Sequence, residues 1–194
     1  MLHVNFDQDF QKFKLCPISQ IYLVGMVNAA AWFGAAAFYL FVAGPAMHST
    51  ALQSLVGSRN FPYFSEAFAQ LLAARYFDLH IICGLIALGH LTAEWLYLAK
   101  HPRRFWLGLA IGLVAWGLLQ DYAVQPHLRQ LHQREYSVTA RADLRDAARR
   151  SFIIVSTLAK IMDYMMVAGL AVWAWRQANP PDAARFVPTA KFRG

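Results

Sequence analysis

The clearest indication of the architecture is the run of residues 76–98, YFDLHIICGLIALGHLTAEWLYL. It is apolar apart from a few spaced polar residues, and it is as long as the ~20 residues that a helix needs to cross ~30 Å of hydrocarbon. Three further apolar runs of similar length lie at about 21–42, 105–124 and 151–176. The sequence therefore predicts an all-α integral membrane protein, a four-helix bundle of four transmembrane helices with helical extensions outside the bilayer.

The composition agrees with a membrane protein rather than a soluble one. Charged residues make up 15% of the chain, whereas a soluble domain carries roughly 25%. The net charge is +7, but the lysines and arginines flank the apolar runs, where they anchor helices and meet anionic lipid head groups. A nucleic-acid partner is therefore not expected. Cys16 precedes the first run and Cys83 lies inside the second, so no disulfide framework is expected either.

The chain divides into three parts around these runs. Residues 1–16 carry phenylalanines at helical spacing, which predicts an amphipathic N-terminal segment on the membrane surface. Residues 17–176 are expected to form the transmembrane domain, and residues 177–194 an extended C-terminal tail. The stretches 62–75 and 127–150 are expected to be helices that continue beyond the lipid. No convincing internal sequence repeat is visible.

Basic residues suggest an orientation in the membrane. Four spans place both termini on one face, together with the short link at 101–104. That link is the densest basic cluster, with Arg103 and Arg104 directly after Pro102. Because cytoplasmic loops carry an excess of Lys and Arg, we expect both termini in the cytoplasm, in a bacterial inner membrane.

The second span carries a polar stripe formed by His80, Cys83, Ala87, His90 and Glu94, at spacings that place them on one helical face. Ionisable residues at membrane depth are costly unless they face a partner, a cofactor or water. The stripe is therefore expected to point into the bundle. His90 or His80 could ligate haem iron or another transition metal, and Glu94 could orient the imidazole. Alternatively, both histidines form hydrogen bonds between helices and nothing more.

The fourth span carries Lys160 and Asp163, three residues apart. Such a spacing allows an intrahelical ion pair, and a charged pair in lipid is expected to face inward. The pair is either structural or functional. In the functional case Lys160 anchors a haem propionate or a substrate, or Asp163 belongs to a proton path. Gly108 and Gly112 in the third span predict a close approach of helices.

Motifs of soluble enzymes are missing from the sequence. It contains no Gly-rich phosphate loop, CxxC pair, HExxH or nucleophile-elbow pattern. A soluble hydrolase, kinase or zinc protein is therefore unsupported, no catalytic residue is assigned, and the chain is not expected to be an enzyme on its own.

Several stretches resemble a known superfamily. These stretches are AAAWFGAAAF (Ala29–Phe38), LLQDYAVQPHL (Leu118–Leu128) and RRSFIIVSTLAKIMD (Arg149–Asp163). They are similar to stretches of small four-helix membrane proteins of the CopD-like superfamily, in an uncharacterised branch. The superfamily looks to include HemJ-type proteins, which bind haem b, and FDLHIICGLIALGH (Phe77–His90) resembles their second span. The resemblance implies haem contact by His80 or His90. HemJ proteins also carry a histidine in the first span, where this chain has none.

Three functions are compatible with the sequence. The first is an accessory or anchoring subunit of a larger membrane complex, whose partners are the lipid bilayer and other membrane protein subunits. The second is a haem b-binding redox protein or electron carrier, with His90 or His80 as an iron ligand, Glu94 behind it and Lys160 near a propionate. The third is a path for copper or another small ion along His80, His90 and Glu94.

Overall fold

In the computed structural model, the described residues are 17–98 and 104–179, without the side chains of 17–19 and 97–98. Within these ranges the chain is helical and contains no strand. The N-terminal segment 1–16 and most of the C-terminal tail lie outside the described residues. The helices, in chain order, are α1 (Pro17–Phe38), a π-helical segment (Tyr39–Ala43), α2 (Gly44–Met47), α3 (Thr50–Val56), α4 (Phe61–Leu98), α5 (Arg104–Leu119), a second π-helical segment (Gln120–Val124), α6 (Gln125–Glu135) and α7 (Ala142–Ala178).

Four of the described stretches are long and apolar enough to cross a membrane: Gln20–Met47, Phe61–Leu96, Arg104–Glu135 and Ala142–Ala178. A backbone in lipid must satisfy its own hydrogen bonds, which a helix does. The all-α, four-span prediction is confirmed. The helical extensions at 62–75 and 127–150 run without a loop into spans 2, 3 and 4, apart from the turn between α6 and α7.

The four spans form a closed bundle in which each span packs against two others. The first span packs against α4 and α7, and α5 also packs against α4 and α7. We call the face where α1 begins and α7 ends the proximal face, and the face where α4 and α7 begin the distal face. Trp32, Phe77, Leu170 and Trp173 are fully buried between the spans, and Leu128, Leu131 and Phe152 form a smaller core in the distal extensions.

The structure contains a repeat of the helical hairpin. Each π-helical segment ends two residues before a proline, and Pro45 and Pro126 are 81 positions apart. The long helices α4 and α7 begin at Phe61 and Ala142, also 81 positions apart, and contain 38 and 37 residues. Proline has no N–H to donate into the preceding turn, and a wide π turn is one way in which a helix adapts to such an interruption.

Burial repeats along with the helices. Ala29, Trp32 and Ala36 are buried in α1, and the residues 81 positions later, Ala110, Leu113 and Gly117, are buried in α5. In the long helices, buried positions of α4 recur 83 positions later in α7, as His80 and Asp163 do. Both hairpins begin at the proximal face, so an axis along the membrane normal relates them. Parallel repeats of this kind build several transporter folds.

Close helix approach occurs at other glycines than the sequence predicted. A Cβ atom added at Gly108 or Gly112 would meet nothing within 4 Å, so that prediction is wrong. A Cβ atom at Gly117 would instead collide with the ring of His80, and one at Gly25 would collide with the ring of His90. Each glycine therefore leaves room for a histidine of the neighbouring span.

We expect Gly117→Ala to lower the free energy of unfolding by about 1–3 kcal/mol, because the added methyl group overpacks a closed contact. Gly112→Ala, on the same helix and facing open space, should be neutral or slightly stabilising. Thermal unfolding of the purified proteins in one detergent compares the two. Equal stability of both variants would contradict the close contact.

Candidate functional site: a polar cavity at the distal end of the bundle

His80 is the polar centre of the first repeat, and both of its ring nitrogens are bonded. The indole N–H of Trp32 donates to Nδ1 at 2.8 Å, and Nε2 lies 2.9 Å from the carbonyl oxygen of Leu113. An indole can only donate and a carbonyl can only accept, so Nε2 carries the hydrogen and the ring is neutral. His80 is 0% exposed. It therefore ties spans 1, 2 and 3 together.

His90 and Glu94 form a second cluster, near the proximal face. His90 Nε2 lies 2.9 Å from the carbonyl oxygen of Ile21, and Nδ1 faces a Glu94 oxygen at 3.6 Å, too far for a hydrogen bond. The other Glu94 oxygen accepts a 2.6 Å hydrogen bond from Arg176. The Arg176 guanidinium also lies over the rings of Trp106 and Trp173, as a cation–π interaction requires. This ion pair joins α4 of the first repeat to α7 of the second.

The polar stripe of span 2 points into the bundle, as predicted. Asn28 in span 1 connects to the same helix, because its side chain donates to the Cys83 carbonyl oxygen at 2.9 Å. As arranged, His80 has no free nitrogen for haem iron, whereas His90 Nδ1 forms no hydrogen bond with the described residues and faces Glu94 at 3.6 Å. Among the described residues, no three His, Cys, Asp or Glu side chains converge as a metal site would require. The assignment of haem or metal to His80, His90, Glu94 and Lys160 stays a prediction.

The predicted ion pair between Lys160 and Asp163 is wrong. Asp163 is 6% exposed, and its Oδ1 accepts a 3.0 Å hydrogen bond from Gln120 Nε2 in the second π-helical segment. Lys160 is exposed, and no described residue forms an ion pair with it. The long lysine side chain turns outward from the helix surface, as lysines near a membrane edge commonly do.

A cavity of about 240 Å³ opens beside Asp163, between spans 1, 2 and 4 and the start of α6. The first π-helical segment borders it, and residue 125 directly follows the second one. Its wall is partly apolar and partly polar. The polar wall consists of Tyr39, His48, Glu66, Gln70, Gln125, Ser156, Lys160 and Asp163.

Exposed charges locate this cavity relative to the lipid. Arg75 and Asp78 form an exposed ion pair on α4, and Lys160 is exposed on α7. Solvated charges of this kind are typical of the membrane edge, so the distal edge of the hydrocarbon lies near this level. Asp163 lies one turn further in along α7. The cavity therefore opens toward the distal face, and Asp163 stands near its inner end.

The polar atoms of the wall are incompletely paired. Glu66 is 3.9 Å from His48, a weak and partly exposed contact. The side-chain oxygen of Gln125 and the side-chain nitrogen of Gln70 are buried without a hydrogen-bond partner in the described part of the chain. Buried polar atoms are normally bonded to protein or to ordered water. A polar cavity of this size has room for water or for a small polar solute.

The residues singled out from the sequence thus fall into separate places. His90 and Glu94 lie near the proximal face, whereas Lys160 lines the distal cavity together with Ala73. Because Ala73 precedes His90 by 17 residues on α4, the cavity lies about 25 Å along that helix from His90. Glu66 and Gln125 were missed. Glu66 could have been found, because Glu66, Gln70 and Ala73 continue the polar stripe of span 2 backwards at spacings of four and three.

Four apolar spans around a polar cavity define a multi-pass α-helical membrane protein. The chain belongs to the family described as Domain of unknown function (DUF4149), whose model matches residues 27–137, more than half of its length. The matched part contains both π-helical segments and Glu66 but ends before Asp163. Comparisons with curated proteins and with solved structures found no match.

The ion pair of Glu94 and Arg176 is expected to stabilise the bundle. Its side chains are 12% and 13% exposed, so removal of one partner leaves a largely buried charge. Glu94→Gln and Arg176→Gln should each cost about 2–4 kcal/mol, and the double variant should cost less than their sum by at least ~1 kcal/mol. Unfolding of the three variants in detergent measures this coupling.

Asp143→Asn is the control, because it removes one partner of the exposed Asp143–Arg141 pair, and such solvent-exposed pairs contribute little to stability. Additive losses at Glu94 and Arg176 would show that the two side chains are not coupled.

Proposed function

We propose that this protein is a membrane carrier that binds a small polar solute or ion in the distal cavity. One observation supports the proposal above the others: Asp163 is buried in the wall of that cavity, with a neutral amide as its hydrogen-bond partner. Ionisable side chains within membrane spans are costly and commonly mark the path of a substrate, an ion or a proton. Because no described residue of opposite charge pairs with the Asp163 carboxylate, this carboxylate fits a role in solute or ion binding better than a purely structural role.

The hairpin repeat supports a carrier rather than a static receptor. Parallel repeats and interrupted spans are common in transporters, where the binding site lies between the repeats. Here the cavity lies between spans of both repeats, beside the π-helical segments that interrupt spans 1 and 3. On the proximal face, the Glu94–Arg176 pair joins the two repeats. A carrier with its site open toward the distal face would need such a closure on the other side.

Filling the cavity tests the proposal. Ala159 is buried in the cavity wall, and Leu158 beside it is exposed on the lipid side of the same turn. We expect Ala159→Phe to fold but to lose solute binding, whereas Leu158→Phe should keep it. Because a ligand at about 100 times its Kd adds about 2.7 kcal/mol of stability, thermal unfolding with a panel of small cations, anions, zwitterions and neutral polar solutes reports binding.

At least one solute should raise the Tm of the wild type and of Leu158→Phe but not that of Ala159→Phe. If no member of the panel separates Ala159→Phe from the other two proteins, the cavity is not a binding site and the proposal fails.

An accessory or anchoring subunit is the second candidate. The observation in its favour is the apolar surface at the start of α4, where Phe64, Phe68 and Leu71 are exposed. At about 57 Å, α4 is longer than ~30 Å of hydrocarbon. Its first turns precede the exposed Arg75–Asp78 pair, on the distal side of the membrane edge. Exposed apolar patches outside lipid mark contact surfaces.

Purification in a mild detergent should then recover fixed partner subunits, and Phe68→Ser should release them without changing the Tm. Recovery of the wild type as a single, monodisperse species would count against the accessory role.

Kinship with the CopD-like superfamily, a haem b site and a copper path are further proposals, supported by the sequence motifs of spans 1 to 4. For haem, His90 is the better candidate, because its Nδ1 forms no hydrogen bond with any described residue. Lys160 could not anchor a propionate of that haem, since it lies about 25 Å away along the bundle. A Soret band in the purified wild type that His90→Ala abolishes would support haem. A colourless protein would end the idea.

The proposed location is a bacterial inner membrane with the proximal face in the cytoplasm. The basic link at 101–104 supports this orientation, although the distal extensions also carry arginines. An impermeant thiol reagent should then label Ser54→Cys, in α3, from outside intact cells, and protection of that thiol until lysis would reverse the orientation.

A further inference from the structure

We infer that the ligand of the distal cavity is a small monovalent cation, of the class of sodium, potassium or ammonium, bound by the Asp163 carboxylate and the Gln125 side-chain oxygen. The inference rests on the proposed function and specifies its substrate class. It depends on three features of the cavity: an uncompensated carboxylate, an unpartnered amide oxygen, and the π-helical segment that turns Gln120 and Gln125 to the buried side of their helix.

The first feature is the Asp163 carboxylate, whose charge is not compensated by any described residue of opposite charge. Asp163 accepts a hydrogen bond from Gln120, which is neutral, and Lys160 is exposed and lies beyond ion-pair distance of it. A buried ionised carboxylate without a positive partner is strongly unfavourable. It must therefore take up a proton or a cation, and the adjoining cavity gives a cation access.

The second feature is the side chain of Gln125. It is 6% exposed, it lines the same cavity, and its oxygen has no hydrogen-bond partner within residues 17–98 and 104–179. The side-chain oxygen of Gln120, whose nitrogen is bonded to Asp163, is also unpartnered. Both glutamine oxygens are acceptors, which bind a donor or a cation, whereas the unpartnered Gln70 nitrogen in the same wall is a donor that can serve a water molecule. Carboxylate and amide oxygens are hard ligands, which suit hard cations rather than copper.

The third feature explains how Gln120 and Gln125 come together. In an α-helix, residues five positions apart point in different directions. The second π-helical segment starts at Gln120, and the backbone N–H of Gln125 bonds to the Gln120 carbonyl, an i→i+5 bond. This wide turn brings both amides to the buried side of the helix. Such π turns are frequent at functional sites, and here the turn aims a polar side chain into the cavity.

The other charged groups of the cavity set its potential. Glu66 adds a second negative charge near the mouth, weakly paired with His48. Lys160 contributes a positive charge on the rim. With His48 neutral, two carboxylates against one ammonium leave an excess of negative charge, which concentrates cations in a cleft with low-dielectric walls.

Thermal unfolding of the full-length protein in detergent, at constant ionic strength and pH, tests the inference. The probes are the chlorides of sodium, potassium, ammonium and, as a bulky reference, N-methylglucamine. We expect one small cation to raise the Tm saturably above the reference. Asp163→Asn should weaken its apparent affinity at least about tenfold, since it removes the charge and keeps the shape. Lys160→Gln should strengthen it, because a competing positive charge is lost.

Two further variants keep the test decisive. Asp143→Asn removes an exposed carboxylate from the same helix and should bind the cation as the wild type does. Gln125→Leu removes the oxygen and no charge, so it should lower the affinity even if Asp163→Asn fails to fold. Equal responses of wild type and Gln125→Leu would then overturn the inference.

The possible failures are distinguishable. If a neutral or anionic solute binds in the wild type but not in Ala159→Phe, while the cations act alike, the cation inference fails and the proposed function stands. If pH shifts the Tm through Asp163 but the cation identity does not, the cavity binds a bare proton and the inference fails. If no solute of any class binds, both are wrong.

Discussion

A polypeptide in lipid has no water to complete its hydrogen bonds, and the rest of this structure depends on that constraint. It forces each membrane-spanning backbone segment into a helix and favours hydrogen bonds between buried polar side chains and neighbouring spans. His80 forms two such bonds, with Trp32 and the Leu113 carbonyl, and Asn28 forms one with the Cys83 carbonyl. These bonds fix which helices are neighbours and at what height. Asp163 is the informative case, because its pairing to Gln120 leaves a charge that no described residue compensates.

The parts of the structure that follow from local pattern were predictable. Hydropathy located four spans, and helical spacing indicated that the stripe from His80 to Glu94 faces inward. Pairing between spans was not predictable, because periodicity defines a face but not its neighbour. Glu94 therefore met Arg176, 82 positions away in the chain, and Asp163 met Gln120 instead of the nearby Lys160. The π-helical segments were also invisible in the sequence, although both precede prolines, since proline is compatible with several ways of ending or bending a helix.

The repeat escaped detection for a related reason. Lipid-facing positions tolerate any apolar residue, so two copies of a hairpin can lose sequence similarity while helix limits and buried positions persist. The copies have also become chemically different. Where the first repeat holds His80, bonded on both sides, the second holds Asp163 beside an open cavity. The central polar side chain of the first repeat is thus closed off by hydrogen bonds, whereas that of the second repeat borders the cavity between the two repeats.

The length of α4 has a mechanical consequence. This helix runs unbroken from the distal extension, past the cavity, to the turn that carries Glu94, while spans 1 and 3 are interrupted by wide turns. A continuous helix resists bending, whereas a helix that is interrupted by a wide turn bends more easily. Any load applied at Phe64 or Phe68 would therefore be transmitted through the thickness of the bilayer to the Arg176 contact, with the two wide turns acting as the compliant joints.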